Sequence, residues 1–546
     1  MTLKLSNKKI LLVEDFPTMR KAIKDMLGTL DAHYVVESDN GLNALKEMAR
    51  EKFDIVLCDY NLGKGKNGQQ VLEEARQRKL LPFSAVFIII SGEQAPGMVL
   101  GAMENKPDEY LTKPFNALQL RTRLEKNFKR KAYLYPVERE LDRGNLALAI
   151  HQCDKLLQEN DKKMRTLLLK IRADLALKVG DLVKAGEIYQ EVLAQRELPW
   201  ARLGLGIIAF KENNFSSAIA IFERLIASNP LYMDSYDWLS QAYQADDQPI
   251  QAQDILNQAV ELSPTAILRQ KKLAETADKN NSLDVAEQAY KAVVKLGKHS
   301  VHKSSSDFSK LARLYSRTND AKQALKTLDD MRQEFIKNPE AELRAATLET
   351  ELYQQLGDEK LAKEAFSKVR DLSESMGKSM PKDLQLDLAK ACFLNDDHET
   401  ADKVLESLII NHIDDDAFMD DIRQMQSSVG RDNYSETLMQ KTRQQLIEIN
   451  NQGVSLFKQG KPNEAMSLFE KASAKMPANK TIVLNMTRIA MHELKSSGPN
   501  EERILRAHAL LNRAKQVGVA EDKLGNLQME FAKLTHARSA NSNNAA

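Results

Sequence analysis

Four short apolar runs near the start of the chain each end in a polar residue: Val13 leads into Glu14 and Asp15, Cys58 into Asp59, Ile90 into Ser91, and Thr112 into Lys113. If these ends meet, they form a cluster of carboxylates with one hydroxyl and one ammonium. Clustered carboxylates repel one another unless a cation sits among them. A hard divalent ion such as magnesium suits Glu14, Asp15, Asp59 and the backbone carbonyl of Asn61, with water completing an octahedron. Lys113 and Ser91 would then stabilise added phosphoryl oxygens, which is the electrostatic work of phosphoryl transfer.

These residues need elements that bring them together. Up to about Lys131 the sequence alternates apolar runs with amphipathic stretches. Strands are expected over Lys9 to Val13, Tyr34 to Ser38, Asp54 to Cys58, Ala85 to Ile90 and Glu109 to Thr112. Between them lie residues at helical spacing, such as Leu42, Leu45 and Met48, then Val71, Leu72 and Ala75. A βα alternation of this kind predicts a five-stranded, doubly wound parallel sheet of flavodoxin-like type, whose strand ends share one edge.

The constellation resembles the receiver domain of two-component response regulators, over residues 1–133. The resemblance implies that Glu14 and Asp15 are the acidic pair, Asp59 the phosphoacceptor, Lys113 the lysine of the site, Ser91 the switch hydroxyl and Tyr110 the switch aromatic. It also implies that Asn61 and Glu93 tune dephosphorylation, and that a sensor histidine kinase or phosphotransfer protein supplies the phosphoryl group. Gly63 stands where the family commonly has proline, and the loop to Gly68 is about one residue longer than usual. Cys58 reads as an ordinary core residue.

After Pro136 the strand signals stop and helical periodicity continues. The stretch FSSAIAIFERLIASNP aligns with PIQAQDILNQAVELSP, placing Ala252 34 residues after Ala218 and Pro264 34 after Pro230; a further 34 reaches Ala286, with Tyr290 following where the earlier copies have Phe222 and Leu256. This is the tetratricopeptide (TPR) period, and about nine or ten such units are expected. Small residues such as Gly206 and Ala218 would let paired helices approach, and Phe222 would fill the space between repeats. The units are assigned to residues 134–410 and 450–535, with an irregular helical insertion at 411–449 and a disordered polar tail at 536–546. The acidic run from Asp414 is read as a helix N-terminus. Arrays of this kind bind proteins along a concave face, so Trp200, Phe210, Asp237, Gln241, Arg313 and Arg317 are candidate groove residues for a protein partner whose identity the sequence leaves open.

Composition narrows the alternatives. The 546 residues carry 78 Lys+Arg against 77 Asp+Glu, a formal charge of +1, so no global field recruits nucleic acid or an anionic membrane. Cys58, Cys153 and Cys392 form no metal-binding spacing and suit a reducing compartment. No apolar run long enough for a signal peptide or a membrane span is found, and a cytoplasmic protein is expected. Walker, HExxH and helix-turn-helix patterns are missing, so no enzymatic output domain is expected. The leading expectation is a phosphorylation-controlled adaptor. A phosphate sink acting on a sensor kinase is the alternative, and a DNA-binding regulator, suggested only by the basic residues of Lys126 to Tyr133, comes last.

Overall fold

The computed structural model describes residues 5–92, 96–159, 161–377 and 380–543. Its first part consists of β1 (Lys9–Val13), α1 (Pro17–Gly28), β2 (Tyr34–Ser38), α2 (Gly41–Arg50), β3 (Ile55–Asp59), α3 (Gly68–Gln77), β4 (Val86–Ser91), α4 (Pro96–Glu104), β5 (Glu109–Thr112) and α5 (Ala117–Asp142). The strands form one parallel sheet in the order β2-β1-β3-β4-β5. Both sheet faces are covered, which explains the unbroken apolar strands. Leu11, Val13, Val56, Cys58, Phe87 and Ile89 pack with Leu45 and Met48 of α2, Val71 of α3 and Ala102 of α4. Ile10, Leu12, Ile55, Leu57, Ile88 and Leu111 pack on the other face with Ile23 of α1 and Leu120 and Leu124 of α5. The ladder pairs Asp59 with Ile90 and Ser91 with Thr112, so β3 and β4 each end one residue later than expected and include these polar residues.

Among the described residues, only helices follow: α6 (Leu146–Gln158), α7 (Arg165–Lys178), α8 (Leu182–Gln195), α9 (Pro199–Lys211), α10 (Phe215–Ser228), α11 (Met233–Ala245), α12 (Pro249–Leu262), α13 (Ile267–Lys279), α14 (Leu283–Gly297), α15 (Ser305–Arg317), α16 (Ala321–Glu334), α17 (Pro339–Gln355), α18 (Glu359–Met376), α19 (Lys382–Leu394), α20 (His398–His412), α21 (Asp416–Ser428), α22 (Glu436–Lys458), α23 (Pro462–Lys475), α24 (Lys480–Ser496), α25 (Glu501–Gln516) and α26 (Glu521–Asn543). The chain forms two compact units, one of residues 1–176 and 182–307 and the other of residues 177–181 and 308–546. The sheet and the early repeats thus share a unit.

Helical hairpins of TPR type result from two local devices. The turn joining the two helices of a pair carries one residue in the left-handed region, as at Asn213 (φ 60°), Asp247 (φ 55°) and Asn281 (φ 57°). The next amide then bonds back across the helix end: Asn214 to the Ala209 carbonyl at 2.9 Å, Gln248 to Tyr243 at 2.8 Å and Ser282 to Ala277 at 2.8 Å. This capping pattern ends one helix and aims the next. Close approach follows from small residues facing rings. A Cβ on Gly206 would lie 2.3 Å from the fully buried Phe222 ring, and one on Gly453 2.3 Å from Phe469. Gly204 accommodates Tyr189 in the same way.

Three expected boundaries differ from the structure. The break at 133/134 falls inside α5, whose first half packs on the sheet and whose second half, through Pro136, pairs with α6. The vanishing strand signal marks the end of the sheet, while the helix itself continues. The expected irregular helical insertion at 411–449 has no end at 449, which falls inside α22. It contains α21 and the first part of α22, and Phe418, Met419, Ile422 and Met439 join the same core as Leu405 and Ile409. Its acidic start has structural partners: Asp415 caps α21 by accepting from the Phe418 amide, and Asp414 accepts from the Thr481 amide and hydroxyl at 3.0 Å. Helix α26 continues through 536–543, where a disordered tail was expected, and residues 544–546 lie outside the described residues.

Replacing Gly206 by alanine should destabilise the first unit by about 1–3 kcal/mol, because overpacking outweighs alanine's better helix propensity. The added mutation Phe222→Leu should recover part of that loss relative to Phe222→Leu alone. Thermal unfolding of the four variants provides the check; additive losses would exclude the contact.

Candidate functional site

The parallel sheet delivers its strand ends to one edge. Glu14 follows β1, its amide donating to the Ser38 carbonyl at 3.0 Å, and is almost fully buried at 2% exposure. Asp15 beside it is exposed. Asp59 closes β3 at 7% exposure, and the Lys113 amide just past β5 donates to the Ser91 carbonyl at 2.8 Å. The Lys113 ammonium reaches between the acids, 2.8 Å from Glu14 Oε2 and 3.2 Å from Asp59 Oδ2. Carboxylate oxygens of Glu14, Asp15 and Asp59 lie within 4.8 Å of one another. An all-carboxylate donor set of this spacing fits a hard, oxygen-seeking cation. Glu14 is already bonded to Lys113, so exposed Asp15 and Asp59 are the acids better placed for direct ligation.

Burial pushes the Asp59 carboxyl up to about 6, the Glu14 charge adds to this, and Lys113 opposes it. For Lys113, burial disfavours the ammonium, but its hydrogen bond to Glu14 and the Asp59 and Glu14 charges prevail and raise its pKa. Cys58 is fully buried, its thiol pushed well upward by desolvation and then by Asp59 and Glu14, and it donates to the Asp59 carbonyl at 3.4 Å. It is a core residue, as its sequence context indicates.

The loop after Asp59 is held from both ends. The Gly68 amide donates to the Tyr60 carbonyl at 2.8 Å, and Asn67 and Gln70 form a reciprocal capping box on α3. At Gly68 a Cβ would come within 2.3 Å of the Asp59 carbonyl oxygen. Gly63 has φ 68°, and a Cβ there would lie 3.0 Å from Asp15 Oδ2. Glycine at this position therefore serves the acid cluster by keeping the loop close to it. Asn61 is exposed on this loop, where its Oδ1 accepts from the Gly63 amide at 3.4 Å. Glu93 lies outside the described residues.

Ser91 is buried at the end of β4. Tyr110 pairs with Ile89 in the sheet and packs, half-buried, in the cluster that contains Val56, Cys58 and Phe87. Strand alternation places Ser91 on the same face as Ile89. Met98 and Ala102 of α4 join that cluster, so Ser91 and Tyr110 share a sheet face with α4.

The candidate groove residues divide between the two units. Trp200 packs edge-on against Tyr189 with ring centres 6.0 Å apart, and Phe210 packs against Phe215 and Trp238, each at 5.5 Å. Both aromatics thus pack against neighbouring helices. Asp237 is held by Arg269, and Gln241 donates to the Asp237 carbonyl at 2.9 Å. In the second unit Arg313 pairs with Asp387 at 2.6 Å, and Arg317 is exposed.

The structure adds residues for which the sequence carried no signal. Lys66, from the loop after Asp59, donates to the His299 carbonyl, and Gln70 donates to the Leu296 carbonyl at 3.3 Å. Glu73 of α3 meets His302 at 3.1 Å and accepts from Ser300 at 3.3 Å. Arg269 of α13 pairs with Glu104 of α4 at 2.9 Å. Each contact joins residues 165 or more positions apart, too far for any local pattern to show.

Comparison with known proteins agrees with the geometry. Residues 10–125 match the response regulator receiver domain family. Chemotaxis protein CheY-3 of Vibrio cholerae is 35% identical over 124 residues, 23% of this chain and 94% of that protein. Chemotaxis protein CheY of Pseudomonas aeruginosa is 33% identical over 122 residues, 22% of this chain and 97% of that protein. Through this domain the chain belongs to the response-regulator family. Among solved structures, MamA is 18% identical over 31% of this chain and 95% of its own, with a TM-score of 0.27. TPR-like repeats of a kinesin light chain-type protein from Podosopora anserina are 19% identical over 33% of this chain and 99% of their own, with a TM-score of 0.28. No helix among the described residues is long and apolar enough to cross a membrane.

The raised Asp59 value sets a pH dependence. Folding holds its proton more tightly than the unfolded chain does, whose aspartates titrate near 3.8, so the metal-free protein should lose stability as pH rises from about 4 to about 6. A divalent cation competes with that proton. Magnesium affinity, measured by calorimetry, should fall as pH drops below about 6, approaching tenfold per unit. Affinity unchanged between pH 7 and pH 5 would exclude Asp59 as a ligand.

Proposed function

We propose that the chain is a non-enzymatic, cytoplasmic adaptor of a two-component pathway, in which phosphorylation of Asp59 controls what the helical repeats bind. A sensor histidine kinase or phosphotransfer protein supplies the phosphoryl group. One observation carries this reading: the receiver and the repeats up to Asp307 form one compact unit, joined by the continuous helix α5 and touching through α3 and α4. A receiver acting only as a phosphate sink would need no such contacts.

Asp59 accepts the phosphoryl group on a carboxylate oxygen. Asp15, Asp59 and the Asn61 carbonyl would hold magnesium, which supplies charge neutralisation at the transferring phosphoryl group. Lys113, already between Glu14 and Asp59, shifts toward the new phosphoryl oxygens, and Ser91 donates a hydrogen bond to them. Movement of Ser91 opens space on the face it shares with Tyr110 and α4. The β3–α3 loop supplies a second route, because Lys66 ties it to the repeats.

Asp59→Asn should abolish labelling by a small phosphodonor with magnesium, whereas Ser91→Ala should retain it. Persistent labelling of the Asp59 variant would overturn the phosphoacceptor assignment. Beryllofluoride, a phosphoryl mimic, should alter hydrogen exchange in α3, α4 and repeat segments 262–269 and 296–302 of the wild type. That response should shrink in Ser91→Ala and vanish in Asp59→Asn. An unchanged exchange pattern in the wild-type repeats would overturn receiver control and favour the phosphate sink.

A further inference from the structure

Helix α4 has two working faces. Met98 and Ala102 pack into the receiver core beside Tyr110. Gly97 and Gly101, one turn apart, face the repeats instead. A Cβ on Gly97 would stand 3.1 Å from the Leu262 carbonyl oxygen, and one on Gly101 2.2 Å from Thr265 Oγ1. The α4 backbone thus rests directly on the turn between α12 and α13, with no room for a side chain.

At the end of α4 this contact becomes electrostatic. Glu104 Oε1 accepts from Arg269 Nη1 at 2.9 Å. The other edge of the same guanidinium is held by Asp237 of α11, with Nε to Oδ1 at 3.0 Å and Nη2 to Oδ2 at 2.9 Å. The Arg269 side chain is only 3% exposed. Just beyond, Lys106 lies 3.6 Å from Asp234. Asp237 and Arg269 both belong to the repeats, so their bidentate pair survives if the receiver moves away. What departs with the receiver is the second carboxylate, leaving a guanidinium edge that favours another acid.

The contact is also incompletely satisfied. Ser263 Oγ and Thr265 Oγ1 are buried beside Gly101 with no hydrogen-bond partner among the described residues. A buried hydroxyl left without a partner destabilises the surface that holds it. An occupant that brought acceptors to these hydroxyls would fit the surface better than α4 does.

We propose that α11, the α12–α13 turn and the start of α13 form a docking site for a helical segment of a partner protein that carries a carboxylate with a base close by, and that α4 occupies it as an internal stand-in. Charge complementarity defines the partner: a carboxylate for Arg269 and a base nearby for Asp234, on a helix whose contacting face carries small residues one turn apart. The inference rests on the reading that the receiver controls the repeats, and it names the surface and the chemistry of that control. It also gives Asp237, one of the candidate groove residues, a role in holding Arg269 for recognition.

The test uses the full chain and a fluorescent peptide spanning residues 96–107, the stand-in itself, with binding read by anisotropy. Glu104→Gln removes the competing carboxylate, and Gly101→Leu pries α4 off by collision with Thr265. Both variants should bind the peptide at least about fivefold more tightly than the wild type, and beryllofluoride should bring the wild type toward them. A peptide carrying glutamine in place of its glutamate should bind the variants more weakly than the parent peptide. Equal parent-peptide affinity for the wild type and both variants would overturn the docking site, as would equal binding of the two peptides. Tighter binding by the variants without any beryllofluoride response would uphold the site and overturn phosphorylation control of it. Self-association of the variants in light scattering, without a gain in peptide affinity, would assign the surface to a second copy of this chain and overturn the partner assignment.

Discussion

Strands that run parallel must end together, and the chemistry of this protein depends on that constraint. Five strands in the order β2-β1-β3-β4-β5 carry Glu14, Asp15, Asp59, Ser91 and Lys113 to one edge. Two buried carboxylates would be untenable there alone, since burial and mutual repulsion both oppose ionisation. The Lys113 ammonium, within 3.2 Å of both, balances part of that charge and leaves Asp59 raised to about 6. In the proposed function, one further cation, or a phosphoryl group with its counterion, completes the electrostatics.

The helical region obeys a different constraint, the distance between backbones. Glycine opposite an aromatic ring lets paired helices close, as Gly206 does for Phe222 and Gly453 for Phe469. The same device recurs where receiver and repeats meet, with Gly97 and Gly101 bringing α4 onto the α12–α13 turn. Missing side chains thus shape the interface as much as those present. A contact built on backbone proximity is sensitive to small shifts, because it has no long side chains to adjust.

Helix α4 connects the two constraints. Its inner residues share a packed cluster with Tyr110, next to the strand end that carries Ser91, and its outer residues touch Leu262, Thr265 and Arg269. Helix α3 offers a parallel connection, since the loop leading into it begins at Asp59 and supplies Lys66 and its own residues supply Gln70 and Glu73. Close packing allows little continuous deformation, so in the proposed function a change at the sheet edge reaches the repeats as displacement of whole elements.

The receiver was legible in the sequence because its signals are local. Apolar runs define strands, parallel topology places their ends, and the residue types there specify the chemistry. The repeat was legible for a similar reason: a 34-residue period and alternating small and large residues are written along the chain. Tertiary structure alone decided where these local rules meet. Pro136 looked like a boundary, yet α5 continues through it because both of its halves find apolar surfaces to cover. The acidic run from Asp414 was legible as a helix N-terminus, and Asp415 caps α21; that Asp414 also accepts from Thr481, while Met419 and Ile422 enter the common core, was not. Trp200 and Phe210 are half-buried groove candidates, and only the structure identifies the rings they pack against, Tyr189 and Trp238. The pairing of Glu104 with Arg269 crosses 165 positions, and no periodicity encodes it. Periodicity specifies which face of an element is buried, but only the folded chain brings two such faces together and determines what each one covers.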